Sequence, residues 1–429
     1  MPTLSLERQL PFESDTSQEG LFGLDGRCVE FPEGLKTAEF THTIHRFPGK
    51  FVPQVARELL LLVGATNRSL IADPFCGSGT SLVEASLLGV PTIGVDFDPL
   101  AVFISQAKTS ALSGKQLAEV GKYWSGKIGE GNHEDLTESV PNLYHWFRPE
   151  IAKQLAFIKR KALRIEDEAL RLFSLVVFSS IIRRVSNADD QTQKTYVSGT
   201  LKKTPPMPAE LFPAFLDKAI RGMGSYSAHR RASVIVQRSD ARKWRSTKKV
   251  DGIITSPPYI DSIDYVYNQM LEYFWLYDVL GLASVDEVRE LRKRPVGFRR
   301  AKVGAGLERL AKISPLAAAL LEPKLAKIHA VSEKEAENVV GYFEDFATHL
   351  KASKQNMKRG SIYALVIGES HIRGVTVPTP AILSELFHSY GFEDMGSCSY
   401  VIKRHYMKFP RRSNSGKINI DYVYCFRNL

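Results

Sequence analysis

Two hydrophobic rhythms alternate along the chain. Short, branched apolar runs end at acids, glycines or prolines: Ser69–Asp73, Pro91–Asp96, Ser233–Asp240, Asp251–Thr255 and Ser361–Gly368. Between them, apolar residues recur every three or four positions, as in Pro53 to about Val63, Ser81–Leu88, Glu335–Met357 and Thr379–Tyr390. Runs of the first kind read as strands buried on both faces, and the second as amphipathic helices. Final strands are expected around Ser397–Lys403 and Tyr422–Arg427. Such alternation predicts an α/β fold with a largely parallel sheet.

Three stretches break the rhythm. Residues 1–38 are polar and weakly periodic, and read as an N-terminal arm. Between about Ser110 and Arg231 the strand signals vanish, and Ile151–Arg184 carries helical spacing for one or two long helices. Ser186–Pro206 reads as a mobile loop; most of the insertion reads as structural packing against the core, with phosphate-backbone contact by Arg183, Arg184 and the loop lysines as the alternative. The third break follows Asp264–Leu280, an expected buried helix rich in aromatics. There, Leu291–Lys312 sets Arg292, Lys293, Arg294, Arg299, Arg300, Lys302, Arg309 and Lys312 against the single acid Glu308. Pro295, Gly297, Gly304 and Gly306 make it loop-like, so it reads as a phosphate-tracking segment, with a solvated face as the alternative. Lys403 and Arg404 belong to a second basic stretch with interleaved aromatics, Tyr400–Lys408.

Composition narrows the classes. At 44% hydrophobic and 24% charged residues the chain reads as globular. The apolar run Leu175–Ile182 is far below the roughly 20 residues that span a bilayer, so no membrane role is expected. The N-terminal residues lack a basic-then-apolar signal pattern, which predicts a cytoplasmic protein. Cys28, Cys76, Cys398 and Cys425 lie far apart, which argues against a zinc site or a disulfide framework, and no metal is expected. The net charge of +10 favours a polyanionic partner.

The candidate chemistry lies at strand ends. Asp73-Pro-Phe-Cys-Gly-Ser-Gly-Thr80 is a strand, a glycine turn and a helix start, where backbone can approach a ligand and a helix N-terminus favours an anion. The next strand ends in Asp96, placed to grip ribose hydroxyls. Together they predict a nucleoside-type cofactor site. Cys76 within the turn reads as a packing residue, since no base stands beside it in sequence. At Thr255-Ser-Pro-Pro-Tyr259, two prolines end a strand abruptly and present Ser256, a proline carbonyl and an aromatic face. Those groups suit a flat molecule bearing an NH2. His42, His45 and Lys50 in Thr41–Phe51 read as solvated loop residues whose spacing suits no metal pattern, with a site as the alternative.

Three of these stretches together resemble the DNA amino-methyltransferases that use S-adenosylmethionine: His45-Arg-Phe-Pro-Gly-Lys-Phe51, Asp73–Gly79 and Thr255–Tyr259. The resemblance covers the α/β core and not residues 110–230 or 281–335. It implies a seven-stranded, mostly parallel sheet of the class I methyltransferase (Rossmann-like) type, with an antiparallel C-terminal hairpin and mainly helical insertions. The implied division is 1–38 as arm, 39–110 and 231–429 as catalytic core, 111–230 as helical insertion, and 281–335 as a basic insertion and candidate target-recognition region. Cofactor contacts are then expected from Phe47, Lys50, Asp73, Phe75, Gly77, Gly79, Thr80, Asp96, Phe97, Asp240 and Thr255. Among these, Asp96 would take the ribose, Asp240 the adenine amine, Phe97 the adenine face, and Phe47 and Lys50 the methionine moiety. Ser256, Pro257, Pro258 and Tyr259 would be catalytic, acting on a flipped base of double-stranded DNA. Arg292, Arg294, Arg299, Arg300, Lys302, Lys403 and Arg404 would contact nucleic acid. Ser256 tilts the resemblance to cytosine N-4. Adenine N-6 methylation, RNA amine methylation and an inactive DNA-binding relative are the alternatives, and a cognate restriction endonuclease is an implied partner. No Pro-Cys dipeptide is present, which argues against carbon-5 cytosine chemistry.

Overall fold

The computed structural model describes residues 20–31, 37–130, 140–190, 192, 194–200, 203–260, 264–293, 296, 301–401 and 420–429. Among the described residues ten strands form in chain order: β1 (Cys28–Val29), β2 (Ile71–Asp73), β3 (Thr92–Asp96), β4 (Val234–Arg238), β5 (Val250–Thr255), β6 (Met357–Ile367), β7 (Ser370–Ile372), β8 (Val375–Val377), β9 (Phe392–Val401) and β10 (Ile420–Asn428). Eight of them make one sheet in the order β1-β9-β10-β6-β5-β2-β3-β4, and β7 and β8 pair separately. From β4 to β6 every pairing is parallel, while β10 runs antiparallel to both β6 and β9. The expected seven strands are therefore joined by an eighth. Val29 of the N-terminal lead-in pairs in parallel with Tyr400 and covers the edge that β9 would otherwise expose.

The chain moves outward from β2 through β3 to β4, then returns to lay β5 on the other side of β2. That reversal opens a crevice beyond the carboxyl ends of the central strands. Asp73, Asp96 and Thr255 end β2, β3 and β5, and Asp240 follows β4, so four adjacent strand ends deliver the candidate residues to one edge.

Helices account for the interruptions. The insertion supplies Pro149–Leu163, Glu168–Val185 and Pro208–His229. Proline at the first helical turn and the Asp167 cap, which accepts from Ala169 and Leu170 N–H, start the first two. Leu155, Phe173 and Phe178 are fully buried in a cluster shared with Val83, Leu100 and Trp275, so the insertion packs onto the core. Burying one such side chain contributes about 1.5–3 kcal/mol.

The described parts of two expected loops are held by specific contacts. Arg183, 9% exposed, donates to the carbonyls of Asn268, Asp189, Thr192 and Lys194 and thereby pins the described part of Ser186–Pro206. Lys203 adds an ion pair to Asp190 at 2.8 Å. In the basic stretch, Val303–Ile313 is a helix, not a loop. A Cβ at Gly306 would meet Val340 at 2.7 Å, so this glycine permits close packing of that helix on Glu333–Asn356. Counter-charges are also present: Arg309 pairs with Glu344, Lys293 with Glu290 and Arg292 with Asp264. The expected aromatic helix is broken at Gln269 into Tyr265–Asn268 and Met270–Leu276.

Candidate active site

The glycine turn sets the site's geometry. Gly77 and Gly79 hold φ of +50° and +75°, which side-chain-bearing residues rarely adopt. A Cβ on Gly79 would also sit 2.8 Å from the Ser105 side chain. Asp73 locks the turn to the end of β5 from beneath. Its carboxylate accepts from Phe75 N at 3.1 Å, Ser81 Oγ at 2.5 Å and Thr255 Oγ1 at 2.7 Å. Burial pushes this carboxyl up to about 6.

Above the turn lies a cleft. Phe47, Lys50, Phe75, Gly77, Thr80, Asp96, Phe97, Asp240, Ser256 and Pro258 all line it. Asp73, Gly79, Thr255, Pro257 and Tyr259 are not among its lining residues; Asp73 and Thr255 are buried at 2% and 0% exposure. Asp96 accepts from the backbone N–H groups of Gly77 at 2.9 Å and Asp98 at 3.0 Å. Burial, reinforced by the neighbouring Asp98, pushes its carboxyl up to about 7. Burial also raises Asp240, but the Arg242 guanidinium, bonded to it at 2.7 and 2.9 Å, prevails and holds it below the usual carboxylate range. Arg242 reaches on to Asp345 at 2.9 Å, so this acid is fixed from behind.

The segment Thr41–Phe51 departs from its expected solvated loop. His42 and His45 are 1% and 3% exposed. His42 Nε2 meets Glu84 Oε1 at 2.6 Å, and Arg57 binds the other oxygen of that buried carboxylate. His45 bridges the Arg46 carbonyl and the Ser179 hydroxyl at 2.7 and 3.0 Å, and burial lowers its pKa to about 4. Lys50 donates to the His42 carbonyl at 2.9 Å. The segment is thus tied to the core helix Thr80–Leu87 and to the insertion, and Phe47 stacks on Tyr265 at 5.9 Å. Behind the turn, fully buried Lys108 donates to Ser78 O at 2.7 Å.

These residues fit a nucleoside carrying a methionine tail. Two acids stand ready for hydroxyl and amine donors, and rings from Phe47, Phe75, Phe97 and Tyr265 supply apolar faces. The buried hydroxyls of Ser78 and Thr80, at the start of Thr80–Leu87, have no protein partner and would serve the polar tail. Cys76 is 6% exposed, and burial drives its thiol well above its usual value, in keeping with a packing role.

Several functional neighbours escaped the sequence reading. Tyr265 and Val296 line the cleft, and Asp98 caps the helix Pro99–Thr109 while accepting from Tyr273. Asp98 left one signal, its position just before the helix-starting Pro99. Tyr259 donates to Asp421 Oδ1 at 2.7 Å, a contact across 162 residues that no local pattern announces. Of the basic candidates, Arg292 binds Asp264 at 2.6 and 2.9 Å and lies 5.1 Å from the Tyr267 ring centre. Lys302 is exposed, and Arg294, Arg299, Arg300, Lys403 and Arg404 lie outside the described residues.

Strand order, reversal point and glycine turn define a class I methyltransferase, and such an enzyme draws its methyl group from S-adenosylmethionine. The chain belongs to the family described as RMKL-like, methyltransferase domain, whose model matches residues 43–274. It is 27% identical over 414 residues to the type II methyltransferase M.MvaI of Kocuria varians, covering 89% of this chain and 87% of that one. It is 22% identical to the type II methyltransferase M.MjaII of Methanocaldococcus jannaschii, over 58% of this chain and 63% of the relative. A shorter match, 44% identical over 52 residues, links it to a tRNA (guanine(10)-N2)-dimethyltransferase of Methanothermobacter thermautotrophicus, covering 12% of this chain and 16% of that one. Among the described residues, no helix is long and apolar enough to cross a membrane.

Proposed function

We propose that the cleft methylates the exocyclic amine of a base flipped from duplex DNA, with cytosine N-4 as the favoured acceptor. The observation that carries this reading is the opening of Ser256 and Pro258, at the end of β5, into the same cleft as Asp96 and Asp240. The type II methyltransferases among its relatives support DNA as the substrate and a cognate endonuclease as partner.

An exocyclic amine is a poor nucleophile because its lone pair is delocalised into the ring. Ser256 Oγ and the Pro257 carbonyl accept its two N–H bonds, which draws the nitrogen toward tetrahedral geometry and frees the lone pair. Tyr259 stacks on the extruded base. Its phenol stays protonated, since burial and then the charge of Asp421 hold it well above its usual value. Asp96 and Phe97 hold the nucleoside, Asp240 orients its amine, and Lys50 with the Ser78 and Thr80 hydroxyls holds the methionine end. The bound cofactor supplies an electrophilic methyl group on a sulfonium. Most of the rate then comes from positioning and preset electrostatics.

Incubation with methyl-tritiated S-adenosylmethionine and duplex DNA is expected to label the DNA. Nucleoside digestion is expected to place the label on N4-methylcytosine; label on N6-methyladenine would move the proposal to adenine. The tRNA-modifying relative favours RNA as a second reading, so transfer to RNA with none to DNA would replace the first. Cofactor binding with no transfer to either would leave an inactive binding relative.

A further inference from the structure

Tyr259 is tied to a strand far away in the chain. Its hydroxyl donates to Asp421 Oδ1 at 2.7 Å, and the Tyr400 hydroxyl donates to Asp421 Oδ2 at 2.9 Å. Asp421 sits near the start of β10 and Tyr400 near the end of β9, paired directly across the hairpin. Each carboxylate oxygen therefore takes one phenol, and the carboxylate bridges two rings. Tyr400 is itself fixed: Phe22 stacks on it at 5.8 Å and Phe31 meets it edge-on at 5.8 Å.

A tyrosine hydroxyl lies on the long axis of its ring. Anchoring it fixes the direction of that axis, while packing sets the rotation about it. We propose that Asp421 is a positioning residue for methyl transfer, aiming the Tyr259 ring by accepting its hydroxyl while Tyr400 holds the carboxylate in place. This rests on the reading of Tyr259 as the ring that stacks on the base. The role is geometric: nothing covalent changes at Asp421, and its effect reaches the base only through Tyr259. Burial pushes the Asp421 carboxyl up, and the two phenol donors work against that. They are what keeps a charge tolerable at a partly buried strand end.

The test is a double-substitution cycle on the full chain, using methyl-tritiated S-adenosylmethionine and unmethylated duplex DNA. Tyr259→Phe deletes the bond and keeps the ring; Asp421→Asn weakens it from the other side. Each is expected to lower kcat about tenfold, with KM for DNA, cofactor Kd and melting temperature little changed. The double variant is expected to be no slower than the slower single one, because both remove the same bond. Asp421→Ala, which removes every acceptor, is expected to be slower than Asp421→Asn. Multiplying losses in the double variant, or loss of Asp421→Asn activity only in step with its melting temperature, would overturn the proposal. Full activity of Asp421→Ala while Tyr259→Ala is inactive would end the inference alone. Full activity of Tyr259→Ala would end the parent reading of the ring.

Discussion

The cleft has two halves that are built in opposite ways. The centre of its proposed cofactor half is one continuous stretch, Asp73 to Asp98, where strand, glycine turn, helix, strand and helix cap follow in order, with Phe47, Lys50 and Asp240 joining from elsewhere in the chain. Its anchors are buried: Glu84, Asp73 and Lys108 are at most 2% exposed. Its base half has a short turn, Ser256–Tyr259, whose aromatic ring is held by an acid 162 residues away. One half is a folding unit as much as a binding site. The other is a few side chains aimed by the completed sheet. Substitution should therefore cost stability in the first half and turnover in the second.

The largest effect is expected at Glu84→Ala. Removing this carboxylate leaves buried His42 without that bond and loosens the Thr41–Phe51 segment, and a buried polar group left unpaired costs about 1–3 kcal/mol. Melting temperature and cofactor affinity should fall together by calorimetry; an unchanged melt would erase the contrast. Next, Tyr259→Ala should lower kcat about 100-fold through lost stacking, with cofactor Kd and melting temperature kept. Matching losses in both would show that the base half is structural too. The third effect is a pH dependence. With its carboxyl raised to about 7, Asp96 is largely protonated at pH 6 and largely ionised at pH 8. Ribose hydroxyls donate best to the ionised form, so cofactor affinity should weaken about tenfold from pH 8 to pH 6. Titration calorimetry should show this slope vanish in Asp96→Asn; a slope that persists would move the titration elsewhere. The smallest effect concerns the basic stretch Leu291–Lys312. Arg299→Ala with Arg300→Ala should flatten the salt dependence of DNA binding by about two log-log units. An unchanged slope would return these arginines to the solvated surface.

The same contrast explains what could be read from the chain. The cofactor half was legible because its chemistry and its backbone share one segment: glycines at positive φ, an acid at a strand end, a helix start. Parallel strands showed as short apolar runs for the same local reason. Misreadings arose where distant chain decides the outcome. Gly304 and Gly306 suggested a loop, yet the neighbouring helix Glu333–Asn356 uses Gly306 for close approach. His42 and His45 looked solvated because Glu84 and Ser179, their buried partners, lie elsewhere in the sequence. Arg183 stayed an open candidate for phosphate contact beside the packing reading, because backbone carbonyls that absorb a guanidinium leave no mark on residue types. Cys28–Val29 is too short for any period, and the phenols that meet Asp421 lie 21 and 162 residues away.

That two-residue strand has a thermal consequence. An edge held by so little pairing is where a sheet opens first on warming. Phe22 and Phe31, flanking it, pack against Tyr400, which shares the Asp421 carboxylate with Tyr259. Fraying there would slacken the aim of Tyr259, the ring proposed to stack on the base, while the central strands stay folded. The enzyme should then go quiet several degrees before it melts, with its working range set at the outermost strand.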